Sequence, residues 1–152
     1  MNTLAWIIVA VVLLIFVGSL FITPSEKKNS AVVVNLKIQA CERLLLYLER
    51  IQYPVLLKRI FMPGMTRDEL LMSLVQNVQE ELEHNLAQRL YVGEDTWLMI
   101  QMAKDEALGT INAAFVDNPD SDAASIAQLL VSSHNNMIDK AVIKIKVEFN
   151  SL

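Results

Sequence analysis

Nineteen consecutive residues, Leu4 to Ile22 (LAWIIVAVVLLIFVGSLFI), carry no charge, and Ser19 alone among them has a polar side chain. As a helix rising 1.5 Å per residue this segment is roughly 28 Å long, about the hydrocarbon thickness of a bilayer. Trp6 suits an interfacial anchor. The polar run Pro24-Ser25-Glu26-Lys27-Lys28 ends the apolar stretch. A cleaved signal peptide would have a basic start, a shorter apolar core and an Ala-x-Ala site. Met1-Asn2-Thr3 carries no Lys or Arg, no Ala-x-Ala site is present, and no Cys follows the segment to support a lipoprotein anchor. Residues 4–22 are therefore expected to be a retained transmembrane helix, residues 23–30 a linker, and residues 31–152 a helical domain.

Charge sets the expected orientation. No cation precedes the span and Lys27 and Lys28 follow it, so the positive-inside rule places the C-terminal part in the cytoplasm. From Lys27 to Arg59, 7 basic residues face 2 acidic ones, a net of +5, whereas from Ile60 onward 6 basic face 14 acidic, a net of −8. A basic part near the span and an acidic distal part suit an anionic inner leaflet, with ordinary charge scatter as the bland alternative. The acidic distal part argues against nucleic-acid binding. The lone Cys41 excludes an intramolecular disulfide, fits a reducing compartment, and sits among apolar residues as a small buried side chain would.

Pro24, Pro54, Pro63-Gly64, Gly93 and Asn118-Pro119 divide the chain into helix-sized pieces. Residues 31–52 place Val34, Ile38, Cys41, Leu45 and Leu48 at alternating four- and three-residue spacing, a helix stripe. A short stretch, Val55 to Phe61, leads to Pro63-Gly64. Thr66-x-x-Glu69 is a capping box, and Asp68 and Glu69 suit the positive end of a helix dipole. Leu71, Leu74, Val75, Val78, Leu82, Leu86 and Leu90 then form one continuous face, with Gly93 as the C-terminal stop. A third helix from Asp95-Thr96 is expected to bury Trp97, Ile100, Leu108, Ile111 and Phe115. Asp117 to Ser121 reads as an acidic loop and Asp122 to Ser133 as a shorter helix. Ile143 to Phe149 alternates like a strand, yet Ile138, Ala141, Val142, Ile145, Phe149 and Leu152 also fall at helical spacing; the helical surroundings favour helix. The fold class is all-α: a transmembrane helix followed by a compact bundle of four or five helices.

Glu81-x-x-His84 has the spacing with which a helix presents a carboxylate and an imidazole to a metal. With Val78 at the centre of the apolar face, Glu81 lies about 60° and His84 about 120° off centre, so His84 points away from the core. A di-iron bundle needs carboxylates from four helices and usually a second such pair. The other histidine, His134, has no Glu three residues before it, and a structural zinc site wants four Cys or His ligands. A solvated helix face, with Glu80 and His84 able to pair, is the better reading, and no metal or cofactor is expected.

The same wheel puts Asn85 and Arg89 within about 20° of the apolar centre, and Lys104 between Trp97, Ile100, Leu108 and Ile111. Polar groups in a core are costly unless paired. This predicts a buried network joining Glu81, Asn85 and Arg89 to Lys104 or to Glu42 and Glu49. Such a network either fixes helix register or lines an anion pocket with Lys104 and Arg89 as contacts. No Gly-rich phosphate loop, Gly-x-Ser-x-Gly elbow or paired-Cys motif supports catalysis.

Cys41-Glu42-Arg43-Leu44 with Leu48-Glu49-Arg50-Ile51, Glu83-His84-Asn85-Leu86-Ala87-Gln88 with Leu90-Tyr91-Val92, Thr96-Trp97, and Ala103-Lys104-Asp105-Glu106 occur in that order. Across residues 35 to 115 this resembles a family of short, uncharacterised bacterial membrane proteins with one N-terminal span and a helical cytoplasmic domain. The resemblance implies an inner-membrane location and a fold, and no activity. The expected function is a membrane-anchored protein-interaction module or accessory subunit of a membrane complex. The alternatives are a homo-oligomeric scaffold associating through the Cys41–Leu48 stripe, and a small-anion sensor or enzyme using the polar cluster.

Overall fold

The computed structural model describes residue 6, residues 11–14 and residues 25–152. Most of the expected span lies outside the described residues, and among those described no helix is long and apolar enough to cross a membrane. No strand occurs among the described residues, and residues 25–152 form six α-helices and one 3-10 turn. We number them α1 Ser25–Arg50, α2 Tyr53–Ile60, α3 Arg67–Glu83, α4 Glu94–Val116, α5 Ala123–Val131 and α6 Asn136–Phe149, with the 3-10 turn at Leu86–Tyr91 between α3 and α4. The chain divides into two compact units, Met1–Asn35 and Leu36–Leu152. In the first, α1 is already helical at Ser25, so residues 25–30 of the expected linker are helix.

In the second unit α4 is the central element, packing against α3, α5 and α6, while α2 packs against α3 and α5. From α1, Ala40, Cys41, Leu44, Tyr47 and Leu48 are at most 1% exposed, so this stripe is consumed by the unit's own core. It is not free for the scaffold contact that the sequence allowed. The seam of α4 is built on small residues. Ala103 and Ala107 are fully buried between Ile100 and Ile111 and let neighbouring helices approach closely.

Local chemistry explains the boundaries. Pro54 sits in the first turn of α2, where its missing N–H costs nothing. Gly64 has φ +88°, a conformation costly for any other residue, and closes the turn before α3. The Thr66/Glu69 capping box is present with both hydrogen bonds made, and those bonds hold the Glu69 carboxyl below the usual range. Asp122 accepts from the Ser125 N–H at 2.8 Å and caps α5. Asn135 is buried, accepts from the Ile138 N–H at 3.0 Å and donates to the Ala103 carbonyl at 3.0 Å, so it caps α6 and ties it to α4.

Two further caps run between helices. The Glu106 carboxylate of α4 accepts from the N–H groups of Asn136 and Met137 at 3.2 and 2.9 Å. Near the far end of α6, Glu148 accepts from the Gly93 N–H at 2.7 Å, at the start of α4. Each helix therefore supplies a carboxylate to the positive end of the other, which fixes them antiparallel. Gly93 is the N-cap of α4 rather than the stop of the preceding helix.

Arg67, at the start of α3, donates to the carbonyls of Phe115, Asn118, Pro119 and Ser121 and lies over the Phe115 ring, 5.3 Å from its centroid. It satisfies the carbonyls at the end of α4 and holds the α4–α5 loop in place.

Candidate functional site

A cluster of three charged side chains lies where α1, α2 and α3 meet. The side chain of Glu81 is 12% exposed, and it receives Arg59 Nη2 at 2.8 Å and Arg50 Nη1 at 3.1 Å. Arg59 also donates to Asn77 Oδ1 at 3.2 Å. One carboxylate thus faces two guanidinium groups from two other helices. Beside this cluster an open trough of about 340 Å³ runs between α1 and the end of α3, lined by Arg43, Tyr47, Arg50, Glu81, His84 and Asn85 among others. Tyr47 is almost fully buried, and among the described residues its hydroxyl has no hydrogen-bond partner. Burial first, then the charges of Asp105 and Glu81, push that phenol well above its usual range.

The network expected from the sequence is not assembled. Glu81 and Asn85 are joined, by Asn85 Nδ2 donating to the Glu81 carbonyl at 2.7 Å. Arg89 instead pairs with Glu94 at 3.2 Å with both side chains exposed. Lys104 pairs with its neighbour Asp105 at 2.9 Å, its side chain 26% exposed. Glu42 is exposed, and Glu49 accepts from Gln52 at the surface. The reason is local. α3 ends at Glu83, and Asn85 adopts φ −113°, ψ 4°, so the helical wheel does not continue through Leu90. Arg89, Leu86 and Leu90 consequently leave the apolar face, and Leu90 is 80% exposed. On α4 the buried line runs through Ala103 and Ala107, which displaces Lys104 from the centre.

His84 is exposed at the C-cap of α3, and among the described residues its ring makes no hydrogen bond or ion pair. Among the described residues no group of three or more His, Cys, Asp or Glu converges as a metal ion would require. The second histidine, His134, lies far along the chain and contacts Asp139 at 2.8 Å, both exposed.

Sequence reasoning missed Arg50, Arg59 and Arg67, which it counted as part of the charge balance. Their partners lie 18 to 54 residues away, so no spacing rule could have found them. It also missed a surface on the α4–α6 pair. Asp95, Leu98 and Met102 follow i, i+3, i+7 on α4, and Lys140, Lys144 and Val147 follow i, i+4, i+7 on α6. The Lys144–Asp95 bridge, 3.3 Å, joins the two stripes on one side of the pair. Leu98, Met102, Ile143 and Val147 on these helices are 41% to 61% exposed.

No curated protein and no solved structure matches the chain. One family model does, and it spans residues 1–152, which places this chain in the family of unknown function DUF7935.

Proposed function

We propose that the chain is a membrane-anchored helical interaction module, an accessory subunit of a complex in the bacterial inner membrane, with residues 4–22 as its span and the helical domain in the cytoplasm. The anchor is supported by the length and apolarity of that segment and by the cations that follow it. Val11, Val12, Leu13 and Leu14, the described part of its middle, are helical and 51% to 75% exposed, which suits a lipid-facing surface.

The observation that carries the interaction role is the α4–α6 face. Its apolar side chains are exposed on helices that the reciprocal caps and the buried seam already hold, so the fold has no use for them. The test is purification of the tagged full chain from native membranes in mild detergent, with mass spectrometry and light scattering. A stoichiometric partner retained by Leu129→Glu on α5 and lost with Ile143→Glu/Val147→Glu is the expected result. Equal retention by all three, or no partner in a membrane fraction that contains the protein, would overturn the reading.

Charge favours self-association as a second reading. Glu94, Asp95 and Asp105 lie on α4, and Lys140, Lys144 and Lys146 on α6. A two-fold axis would lay α4 of one copy across α6 of the other and match opposite signs. A mass that is a multiple of the chain's would select this reading. That mass should fall to the monomer in Lys140→Glu/Lys144→Glu and be regained on mixing with Asp95→Lys/Asp105→Lys.

A further inference from the structure

Charge in the α1–α3 trough does not balance. Glu81 is the one carboxylate lining it, against Arg43 and Arg50 from the same trough and Arg59 at its edge. Among the described residues Arg43 makes no ion pair and no hydrogen bond. Both contacts of Arg50 to Glu81, at 3.1 and 3.4 Å, come from Nη1, and among the described residues its Nε–Nη2 edge has no partner. That edge is the fork with which a guanidinium holds two oxygens of one oxyanion. His84 also lines the trough, and among the described residues its ring makes no hydrogen bond or ion pair. Arg43 and Arg50 are seven residues apart on one helix, about 10 Å along its axis, a gap that two such side chains can close from either side.

We propose that this trough is a binding site for a phosphate-type oxyanion, held by Arg43 and the free edge of Arg50, with His84 as the facing donor. The group is either soluble phosphate or the phosphate of a lipid headgroup; the shared chemistry is a compact, multiply charged oxyanion that matches a planar guanidinium fork. Glu81 has a positioning role: by taking Nη1 of Arg50 it turns the other edge of that guanidinium outward. The site is separate from the α4–α6 face and does not depend on the interaction role proposed above.

The chain carries its own reporters, because it has two histidines and only one of them lines the trough. The experiment is nuclear magnetic resonance of the histidine rings in the full chain, held in phosphatidylcholine nanodiscs and titrated with inorganic phosphate at constant ionic strength. A parallel sample uses nanodiscs containing phosphatidic acid. The expected result is a saturable shift of the His84 ring with His134 unmoved. Arg43→Gln should weaken it about tenfold, the loss of one charge-assisted contact, while Arg89→Gln, outside the trough, should leave it unchanged. A His84 shift in the phosphatidic-acid discs without added phosphate assigns the site to a headgroup, and a shift only on adding phosphate assigns it to a soluble ligand; either supports the site. Three outcomes would overturn it: no His84 shift in either sample, linear drift of both histidines, or equal weakening by Arg89→Gln. Arg50→Gln is a second variant, and Arg43→Gln keeps the test open if that one loosens the fold.

Discussion

Glu81 shows how one residue can join three helices without being fully buried. Its side chain is 12% exposed, while those of Arg50 and Arg59 are 57% and 34% exposed, so solvent screens part of the attraction. Glu81→Gln removes the shared negative charge and one of the two acceptor oxygens, and leaves two guanidinium groups without a counter-ion. It should destabilise the fold by about 1–2 kcal/mol, well below the cost of breaking a fully buried pair. Arg50→Gln should cost less, under about 1 kcal/mol, because Arg59 still holds the carboxylate. Urea titration of both variants checks this; the reverse order would mean that Glu81 is not the centre of the cluster. Cys41 gives an independent view of the same core. It is 1% exposed, and burial first, then the charge of Glu148, raise its thiol above the usual range. The thiolate is the reactive form, so the folded chain at pH 8 should resist a disulfide reagent and react only as it opens. Labelling at the denatured rate in plain buffer would show that this part of α1 is not packed in solution.

At the scale of the element, the α4–α6 pair depends on contacts that neither helix could announce alone. Glu106→Ala removes the acceptor for the N–H groups of Asn136 and Met137, leaving two of the four orphan donors of α6 to water or to Asn135. The expected cost is about 1–2 kcal/mol, with faster amide exchange at Asn136 and Met137 and little change at Gly93. Unchanged exchange at those two amides would show that Asn135 alone suffices as the cap. The same pair marks the limit of reading elements from sequence. The Thr66/Glu69 box was legible because both partners lie within one turn, and the start of α3 follows from it. The end of α3 was not legible: Leu86 and Leu90 continue the apolar spacing, and only the backbone turn at Asn85, with its side chain returned to the Glu81 carbonyl, breaks the register. The buried network failed for that reason. Lys104 misled for another, since Ala103 and Ala107 carry little hydropathy yet form the seam. Ile143 to Phe149 suits strand or helix equally. The choice is made by Asn135 and Glu106, whose bonds bring α6 against α4 from about 30 residues away.

At the scale of the whole molecule, the division at Asn35/Leu36 makes a test that separates folding from anchoring. The hydrophobic cluster begins at Cys41 and ends at Ile145, so every side chain in it belongs to the second unit. Removing residues 1–30 takes none of them away. The remaining chain should unfold cooperatively, with a midpoint within about 4 °C of the full chain's, a difference that corresponds to roughly 1 kcal/mol or less. Removing residues 1–52 is different, because it strips Cys41, Leu44, Tyr47, Leu48 and Ile51 from that core. Five buried side chains at about 1.5–3 kcal/mol each come to about the whole stability of a typical domain, so that chain should not fold. The fate of the shorter deletion in the cell tests the anchor. If residues 4–22 are the span, the chain lacking residues 1–30 should leave the membrane fraction while keeping its circular dichroism. Retention at the membrane that high salt reverses would transfer the membrane affinity to the cations between Lys37 and Arg59. Retention that salt does not reverse would transfer it to the exposed apolar face of α4 and α6, the surface otherwise assigned to a protein partner.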